Sequence, residues 1–391
     1  MALRNRVARL RPALAPVTLA LLTACLMAPT APASAGDVDF KQGRQVGLAT
    51  VTSVDGVKRP VEFAIDDSGA MWEFDRSGSF WTRTNRGTPT KANGERIDIR
   101  AGAGAVGVGR GVRAYAVAYD GNLWEFKHDG ESVGWTKLPR PTDSGELRGA
   151  VGTEVDGDGA RFVVVRDKNN RLWQYKNLKG VWETEDMGKM PASGGQVLEK
   201  GAGVGKFRGG AYAFTISNRN VLWSVHKTTD GEWTWIPWGT PSQDDDPVWS
   251  SLGVISYPEQ NELQVLMQAE NGRVWRVSWD EAVTSGTWKE FVAPSFEPAV
   301  RSGGGAVVIP GGEQVTLLGQ DGKLRNTVNG HTPSASWYGT RTPENVSLIK
   351  ELGSRNVANE TYTFTVDKEG DVWAARFTPA DLDWKWTEIG G

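Results

Sequence analysis

Tryptophan is the residue type whose supply and spacing point most clearly to recognition chemistry in this chain. The sequence holds 18 Trp beside 7 Tyr and 12 Phe. An indole presents a flat apolar face on which the C–H face of a sugar ring stacks, while nearby polar groups bind the hydroxyls. The candidate platforms are Trp81, Trp135, Trp182, Trp233, Trp235, Trp288, Trp337 and Trp384. Packing between structural elements is the alternative role, because a buried indole removes much apolar surface from water.

Four tryptophans are concentrated in one short stretch of the chain. They are Trp233, Trp235, Trp238 and Trp249, and the acidic triplet Asp244–Asp246 lies among them. This stretch is the first place to look for a superior site, with a local hydrophobic patch as the alternative. Carboxylate oxygens also suit calcium, but the triplet lacks EF-hand spacing, so a solvated acidic loop is favoured.

Other residue types give little support for catalysis or metal binding. The three histidines, His128, His226 and His331, lack the spacing of zinc ligands. No Gly-x-Ser-x-Gly motif and no phosphate-binding loop is present in the sequence. The sequence therefore predicts no cofactor and no metal site. Glycoside hydrolysis is the enzymatic alternative, because 47 acidic residues supply carboxylates that a ring of sheets could pair across an axial pocket.

A repeat of about fifty residues positions these side chains. A polar turn such as Asp120-Gly121 is followed at a fixed offset by a column of residues that we call the hairpin column. Its members are Trp72, Trp124, Trp173, Trp223, Trp275, Arg325 and Trp373. Strand-like runs flank each turn, which predicts a β-hairpin in every unit. A further Trp 9 to 13 residues downstream marks an outer strand.

Glycine-rich segments upstream of the hairpins predict innermost strands that approach one another closely. Examples are Gly102 to Gly109 and Gly201 to Gly205. Repeats of this length and composition predict an all-β, seven-bladed β-propeller with four antiparallel strands per blade. The blades are expected at about 37–87, 88–141, 142–188, 189–241, 242–296, 297–340 and 341–391. Residues 36–391 thus form one domain, and Asp37 to Arg44 could add an edge strand to the last blade.

Residues 1–35 have the pattern of an export signal. Four arginines precede an apolar run, and Ala33-Ser34-Ala35 matches an A-x-A cleavage site. We expect a secreted protein, or alternatively a lipid-anchored one if Cys25 is the lipidated residue. Loss of the four arginines changes the formal net charge from −3 to −7, which disfavours nucleic acid and anionic lipid as partners. No later segment is apolar enough to insert in a membrane.

The blade motif resembles that of secreted propeller lectins, both the tachylectin type and the bacterial seven-bladed sugar-binding type. It is carried by Gly121-Asn122-Leu123-Trp124-Glu125-Phe126 followed by Gly134-Trp135. The resemblance spans residues 37–391 and implies a ring with shallow carbohydrate sites between blades. The blades are not identical copies, and Arg325 replaces a Trp, so one or a few sites are expected rather than seven equal ones.

Three hypotheses about function follow. The first is a non-enzymatic lectin that binds cell-surface or polysaccharide glycans through the tryptophans named above. The second is a propeller glycosidase or lyase, and the third is a protein-interaction ring within a secreted or envelope-bound assembly. Because propellers serve all three, the position of aromatic and acidic groups must decide. Pockets between blades favour a lectin, and an acidic axial pocket favours an enzyme.

Overall fold

The hairpins and glycine-rich segments form seven four-stranded antiparallel sheets, each built from four consecutive strands. The computed structural model describes residues 38–40, 44–130, 132–155, 159–191, 195–207, 210–241, 247–257, 262–279, 287–292, 304–310, 312–329, 337–379 and 383–390. The predicted seven-bladed propeller with four strands per blade is confirmed. Within these residues, no helix has the length and apolar character needed to span a membrane.

The strands of each blade have four roles. The inner strands are β1 (Arg44–Thr52), β5 (Ile99–Val108), β9 (Leu147–Val155), β13 (Leu198–Phe207), β17 (Val248–Tyr257), β21 (Gly305–Ile309) and β25 (Leu348–Val357). The second strands are β2 (Lys58–Ile65), β6 (Gly111–Ala118), β10 (Arg161–Asp167), β14 (Gly210–Ser217), β18 (Glu262–Ala269), β22 (Gly312–Leu318) and β26 (Glu360–Asp367). The third strands are β3 (Met71–Ser77), β7 (Leu123–His128), β11 (Arg171–Leu178), β15 (Leu222–Lys227), β19 (Val274–Trp279), β23 (Leu324–Asn329) and β27 (Val372–Thr378). The outer strands are β4 (Phe80–Gly87), β8 (Val133–Lys137), β12 (Val181–Lys189), β16 (Trp233–Gly239), β20 (Thr287–Val292), β24 (Tyr338–Gly339) and β28 (Asp383–Gly390).

Inner strands of neighbouring blades approach closely, as the glycines predict. A Cβ atom added to Gly107 would lie 1.8 Å from the carbonyl oxygen of Thr50 in the adjacent blade. One added to Gly102 would lie 2.3 Å from the carbonyl oxygen of Gln45. Since any side chain would collide with backbone at these positions, glycine permits the tight packing around the axis.

The core is a set of apolar layers between neighbouring blades. Phe63 of the first blade packs on Phe126 of the second, with ring centroids 6.0 Å apart. Trp81 of the first blade meets Phe364 of the seventh edge to face at 5.3 Å. These layers account for the fixed aromatic repeat, because each blade must bury a large side chain against the next.

In five blades the hairpin-column residue binds the aspartate of its own β2–β3 type turn. The indole N–H of Trp72 donates to Asp66 at 2.7 Å, and that of Trp373 donates to Asp367 at 2.8 Å. Arg325 breaks the sequence column but keeps its function, since its guanidinium donates to the turn residue Asp321 at 2.8 and 2.6 Å. A cation that reaches the turn carboxylate therefore replaces the indole N–H.

The ring closes where the seventh blade meets the first, a boundary that we call the seam. Arg44 pairs with Ile65 inside the first blade, so the possibility that it extends the last blade is wrong. Asp37 and residues 41–43 lie outside the described residues. Phe40 is buried at the seam against Trp72 and Phe74 of the first blade, in one apolar cluster with side chains of the seventh. Side-chain packing, rather than a shared strand, holds the described part of the seam together.

Candidate functional site

The outer-strand tryptophans occupy two positions in the register, although their spacing predicted one column. At the first, which we call the latch position, the outer residue pairs with the second residue after the hairpin column, as Trp135 does with Phe126. At the second, which we call the rim position, the outer residue pairs with the fourth residue after the hairpin column, as Trp81 does with Arg76. The latch position holds Trp135, Trp235, Trp288 and Trp386, and the rim position holds Trp81, Trp182, Trp233 and Trp384. Trp337 lies directly before β24.

Latch tryptophans join neighbouring blades through their indole N–H groups. Trp135 donates to the carbonyl of Arg86 at 3.1 Å, and Trp235 donates to that of Met187 at 3.0 Å. Trp288 and Trp386 make equivalent bonds of 2.8 Å to Trp238 and Thr340. Three of the accepting carbonyls belong to the outer strand of the preceding blade, and that of Thr340 directly follows β24. Because the donor is engaged and the ring is packed, the latch position serves assembly of the ring.

Replacing a latch residue is expected to cost stability without affecting a binding site elsewhere. Trp135→Phe keeps an aromatic ring but removes the donor, so the buried carbonyl of Arg86 loses its partner and stability should fall by about 1–2 kcal/mol. Urea unfolding followed by tryptophan fluorescence measures this, and Trp288→Phe should behave alike. A Trp135→Phe protein of unchanged stability would show that the bond is not a latch.

Rim tryptophans lie beside charged and aromatic groups of the clefts between blades. Trp182 meets Tyr115 of the preceding blade edge to face at 5.8 Å, with the guanidinium carbon of Arg161 5.2 Å from its ring centroid. The ammonium of Lys227 lies 5.8 Å from the ring of Trp233. Trp384 is buried against Phe377. Among the described residues, Trp81 is the rim tryptophan that lines an open cavity.

That cavity lies at the seam and adjoins a larger one. The smaller cavity, of about 240 Å³, is lined by Arg76, Trp81, Tyr362 and Arg376 among others. The larger, of about 560 Å³, shares Arg76 and Tyr362 and adds Glu360. We call these five residues and the space they enclose the seam cleft. It joins β3 and β4 of the first blade to β26 and β27 of the seventh.

The polar groups of the seam cleft are held by one another. Tyr362 donates its hydroxyl to Glu360 and accepts a hydrogen bond from Arg76. Arg376 lies 3.1 Å and Arg76 3.5 Å from the Glu360 carboxylate. Burial and the nearby Arg376 charge lower the pKa of Arg76, since two cations share a partly desolvated space. One carboxylate thus fixes two guanidinium groups and a phenol in a preorganised array.

A tyrosine, a glutamate and an arginine recur together in two other clefts, but there the carboxylate is buried, with Glu125 12% and Glu313 7% exposed in their side chains. In the cleft between the second and third blades, Tyr115 and Arg161 both bond Glu125, at 3.2 and 2.5 Å. Glu125 and Arg161 are each only 9% exposed. Tyr257, Glu313 and Arg276 repeat the arrangement between the fifth and sixth blades.

The seam version differs from these two in its openness. The side chains of Glu360 and Arg376 are 28% and 25% exposed. A ligand can therefore reach the polar array at the seam, whereas the two closed versions serve as structural ion pairs. Guanidinium groups and a carboxylate can together bind adjacent hydroxyls, while Trp81 contributes apolar surface.

The tryptophans predicted to share a site near residue 240 do not come together. Trp233 and Trp235 pack toward the third blade, whereas Trp238 donates to Ser224 within its own blade. Trp249 lies near the axis, with the ammonium of Lys200 4.2 Å from its ring centroid. The triplet Asp244–Asp246 lies outside the described residues. The prediction of a superior site at this junction is therefore not supported by the positions of its aromatic residues.

The two histidines within the described residues each contact another side chain. His128 contacts Glu73 at 2.9 Å, and His226 stacks on Tyr212 with ring centroids 4.7 Å apart. Burial lowers the pKa of His226. His331 lies outside the described residues. In the part of the chain that the structure describes, no three His, Cys, Asp or Glu side chains are grouped so as to hold a metal ion.

Sequence reasoning missed Arg76, Glu360, Tyr362 and Arg376. Arg76 and Tyr362 are separated by 286 residues along the chain, so no local motif contains both. A usable signal was present in the alternation of the strands. Tyr362 and Arg376 pair directly across β26 and β27, so their side chains lie on the same face of the blade.

Comparisons with known proteins agree with the fold. No protein-family model and no curated protein sequence matches the chain. Among solved structures, the BP39L lectin from Burkholderia pseudomallei superposes with a TM-score of 0.63 at 18% identity, covering 88% of this chain and 99% of that one. A fucose-specific lectin from Aleuria aurantia gives a TM-score of 0.50 at 14% identity, with 91% and 99% covered. The predicted resemblance to propeller lectins is thus confirmed at the level of fold.

Proposed function

We propose that this protein is a non-enzymatic, exported β-propeller that binds glycans through the seam cleft. The observation that carries the proposal is the open array of Arg76, Glu360, Tyr362 and Arg376 beside Trp81. The two solved structures compared above, which have similar folds, are lectins, and this supports a carbohydrate ligand. Fixed donors and acceptors beside an aromatic wall suit a saccharide, whose hydroxyls and C–H faces need both kinds of contact.

The seam cleft also indicates how many good sites the ring carries. Similar polar groups occur in two other clefts, but their carboxylates are buried there while Glu360 is 28% exposed, so a single dominant site is proposed rather than a multivalent ring. The latch tryptophans Trp135, Trp235 and Trp288 donate to carbonyls of the preceding blade, so we assign them to assembly of the ring rather than to sugar contact. A single site predicts a binding stoichiometry near one glycan per chain.

The cavity beside the inner strands of the second, third and fourth blades lacks the lining that the glycosidase or lyase alternative needs. Such an enzyme needs two carboxylates facing each other across a pocket. The charged residues that line this cavity are Arg166, Lys200 and a single carboxylate, Glu199. That lining supports binding of a negative group rather than acid–base catalysis.

A glycan array probed with the purified protein tests the proposal. We expect saturable binding to a chemically related set of glycans, which Trp81→Ala should abolish by removing the aromatic wall of the cleft. Because that change also removes packing on Phe364, Arg376→Met provides a second test at a side chain that is 25% exposed. Trp135→Phe serves as the matched control and should still bind. Folded protein that binds no glycan, or binding that survives both cleft variants, would overturn the proposal.

A further inference from the structure

A second cluster of polar side chains lies at one mouth of the axial channel, on the end of the ring that carries the β2–β3 type turns. Its positively charged residues lie within the first three residues of inner strands or near the end of β10. They are Arg44, Arg100, Arg148, Arg166, Lys200 and Lys350. The whole chain has a formal net charge of −3, so this gathering of positive charge runs against the average. We call the region the axial mouth.

Contacts link these cations around the axis from blade to blade. Arg44 of the first blade donates to the carbonyl of Arg100 in the second. Glu146 accepts from Arg100 at 3.0 Å and lies 3.7 Å from Arg148 of the third. One carboxylate therefore stands between two guanidinium groups, and the arc keeps an excess of positive charge.

Between the second, third and fourth blades the axial mouth contains a cavity of about 210 Å³. Arg166, Glu199, Lys200 and Thr215 supply its polar side chains. Much of the remaining wall is glycine and alanine backbone, including Gly102, Gly149 and Gly201. Because backbone forms much of this wall, a small ligand in the cavity can contact backbone groups as well as the charges.

Thr215 supplies a hydroxyl that the folded chain leaves without a partner. The residue is 1% exposed, lines the cavity, and its Oγ1 atom makes no hydrogen bond within the described structure. Burying a hydroxyl unpaired costs about 1–3 kcal/mol, so such atoms normally have a partner. A ligand acceptor in the cavity would satisfy it.

Arg166 has donors to spare in the same cavity. One guanidinium nitrogen donates to the carbonyl of Leu198, which leaves the other side of the fork for a ligand. Burial, together with the charges of Arg100 and Arg148, lowers the pKa of Arg166, while Glu199 opposes this shift. Lys200 anchors on the carbonyl of Trp249 at 3.1 Å and borders the cavity from the next blade. Arg166 and the Thr215 hydroxyl thus line one space, and Lys200 adds a second positive charge at its border.

We propose that the axial mouth binds an oxyanion (a sulfate, phosphate or carboxylate group) through Arg166, Lys200 and Thr215. Guanidinium forks and ammonium groups bind such oxygens with charge-assisted hydrogen bonds, and the Thr215 hydroxyl adds a neutral one. The group can be a free ion or the acidic substituent of a saccharide. This site is separate from the seam cleft and does not depend on it.

Thermal unfolding of the whole protein in sodium sulfate, phosphate or glucuronate, each against chloride at equal ionic strength, tests the site. Sulfate and phosphate also stabilise folded proteins non-specifically, so each shift is compared with that of Thr215→Val in the same salt. A shift larger in the parent than in Thr215→Val with sulfate or phosphate identifies a free oxyanion as sufficient, and such a difference with glucuronate alone identifies a saccharide carboxylate; either result supports the proposal. Equal shifts of parent and variant in every salt would overturn it.

Two substitutions separate binding from folding. Thr215→Val removes the unpaired hydroxyl with little change of shape, so the variant should be at least as stable as the parent in chloride yet bind the oxyanion about tenfold more weakly. Lys200→Met should weaken binding at least as much. Lys179→Met, at an exposed turn on the opposite end of the ring, is the control and should bind normally. Unchanged affinity in both mouth variants would contradict the assignment.

Discussion

Replacing Glu360 by glutamine is expected to weaken glycan binding at the seam cleft by about ten- to a hundredfold. The carboxylate receives Tyr362 and holds Arg76 and Arg376, and it is the acidic group of that array. Glutamine has the same shape but no charge, and its amide nitrogen would face donors. Hydrogen bonds to charged groups contribute about 1.5–3 kcal/mol, which corresponds to that range in affinity. Isothermal titration with the best glycan from the array measures it.

The closed cleft between the second and third blades offers a matched control for this change. Glu125→Gln makes the same substitution in a buried trio with Tyr115 and Arg161. There we expect a loss of stability of about 1–3 kcal/mol and unchanged glycan affinity, because removing one partner strands a buried charge without touching the seam. If Glu125→Gln weakened binding as much as Glu360→Gln, the distinction between open and closed clefts would be wrong.

Stability is expected to fall as the pH rises toward 8 because of a buried glutamate, Glu351. Its carboxyl is 3% exposed between the sixth and seventh blades, and burial raises its pKa to about 8 despite hydrogen bonds from Thr316 and Ser354. In the unfolded chain the same group ionises near 4.5. Between these values the folded state binds more protons, so its stabilising contribution is complete below about 4.5 and is lost as the pH rises through 8.

The effect of Glu351 is isolated by comparing the parent with Glu351→Gln. Glutamine resembles the protonated acid, so both proteins should have similar stability near pH 4.5, while the variant should be more stable by several kcal/mol, about 5 at most, above pH 8. Denaturant unfolding at a series of pH values gives the difference. Glu344→Gln alters an exposed carboxylate and should track the parent. A constant difference between parent and Glu351→Gln across this range would show that Glu351 is ionised in the fold.

Glu62, which is buried at the seam, should add to the loss of stability with rising pH. It is fully buried in β2, neither carboxylate oxygen has a partner in the described structure, and burial raises its pKa well above the usual value. The protonated form is the one that this apolar layer tolerates. The seam thus combines an open, charged cleft with a buried acid that is neutral when folded.

The repeat was predictable because its signal is local. Trp72 and Asp66 lie in one hairpin and bond each other, so the turn and the tryptophan must appear together in sequence. The same logic explains Arg325, which looks like a defect in the column but retains the bond to its turn aspartate. The close packing of the inner strands was likewise predictable from glycines such as Gly102, since no other residue fits there.

The division of the outer tryptophans was hidden because it depends on register. Turns between third and outer strands differ in length, so equal numbers of residues do not give equal partners, and Trp135 and Trp81 fall at different positions. The seam cleft was hidden for another reason. It forms only when the ring closes and brings Arg76 to Tyr362, which no spacing within a blade reports.

A crystal structure of the protein with its best-binding glycan tests the central claim most directly. We expect a saccharide in the seam cleft, with hydroxyls bonded to Glu360 and to Arg76 or Arg376, and a ring or methyl group against Trp81. A saccharide bound instead in another cleft or on the axis, with the seam cleft free of ligand, would contradict it.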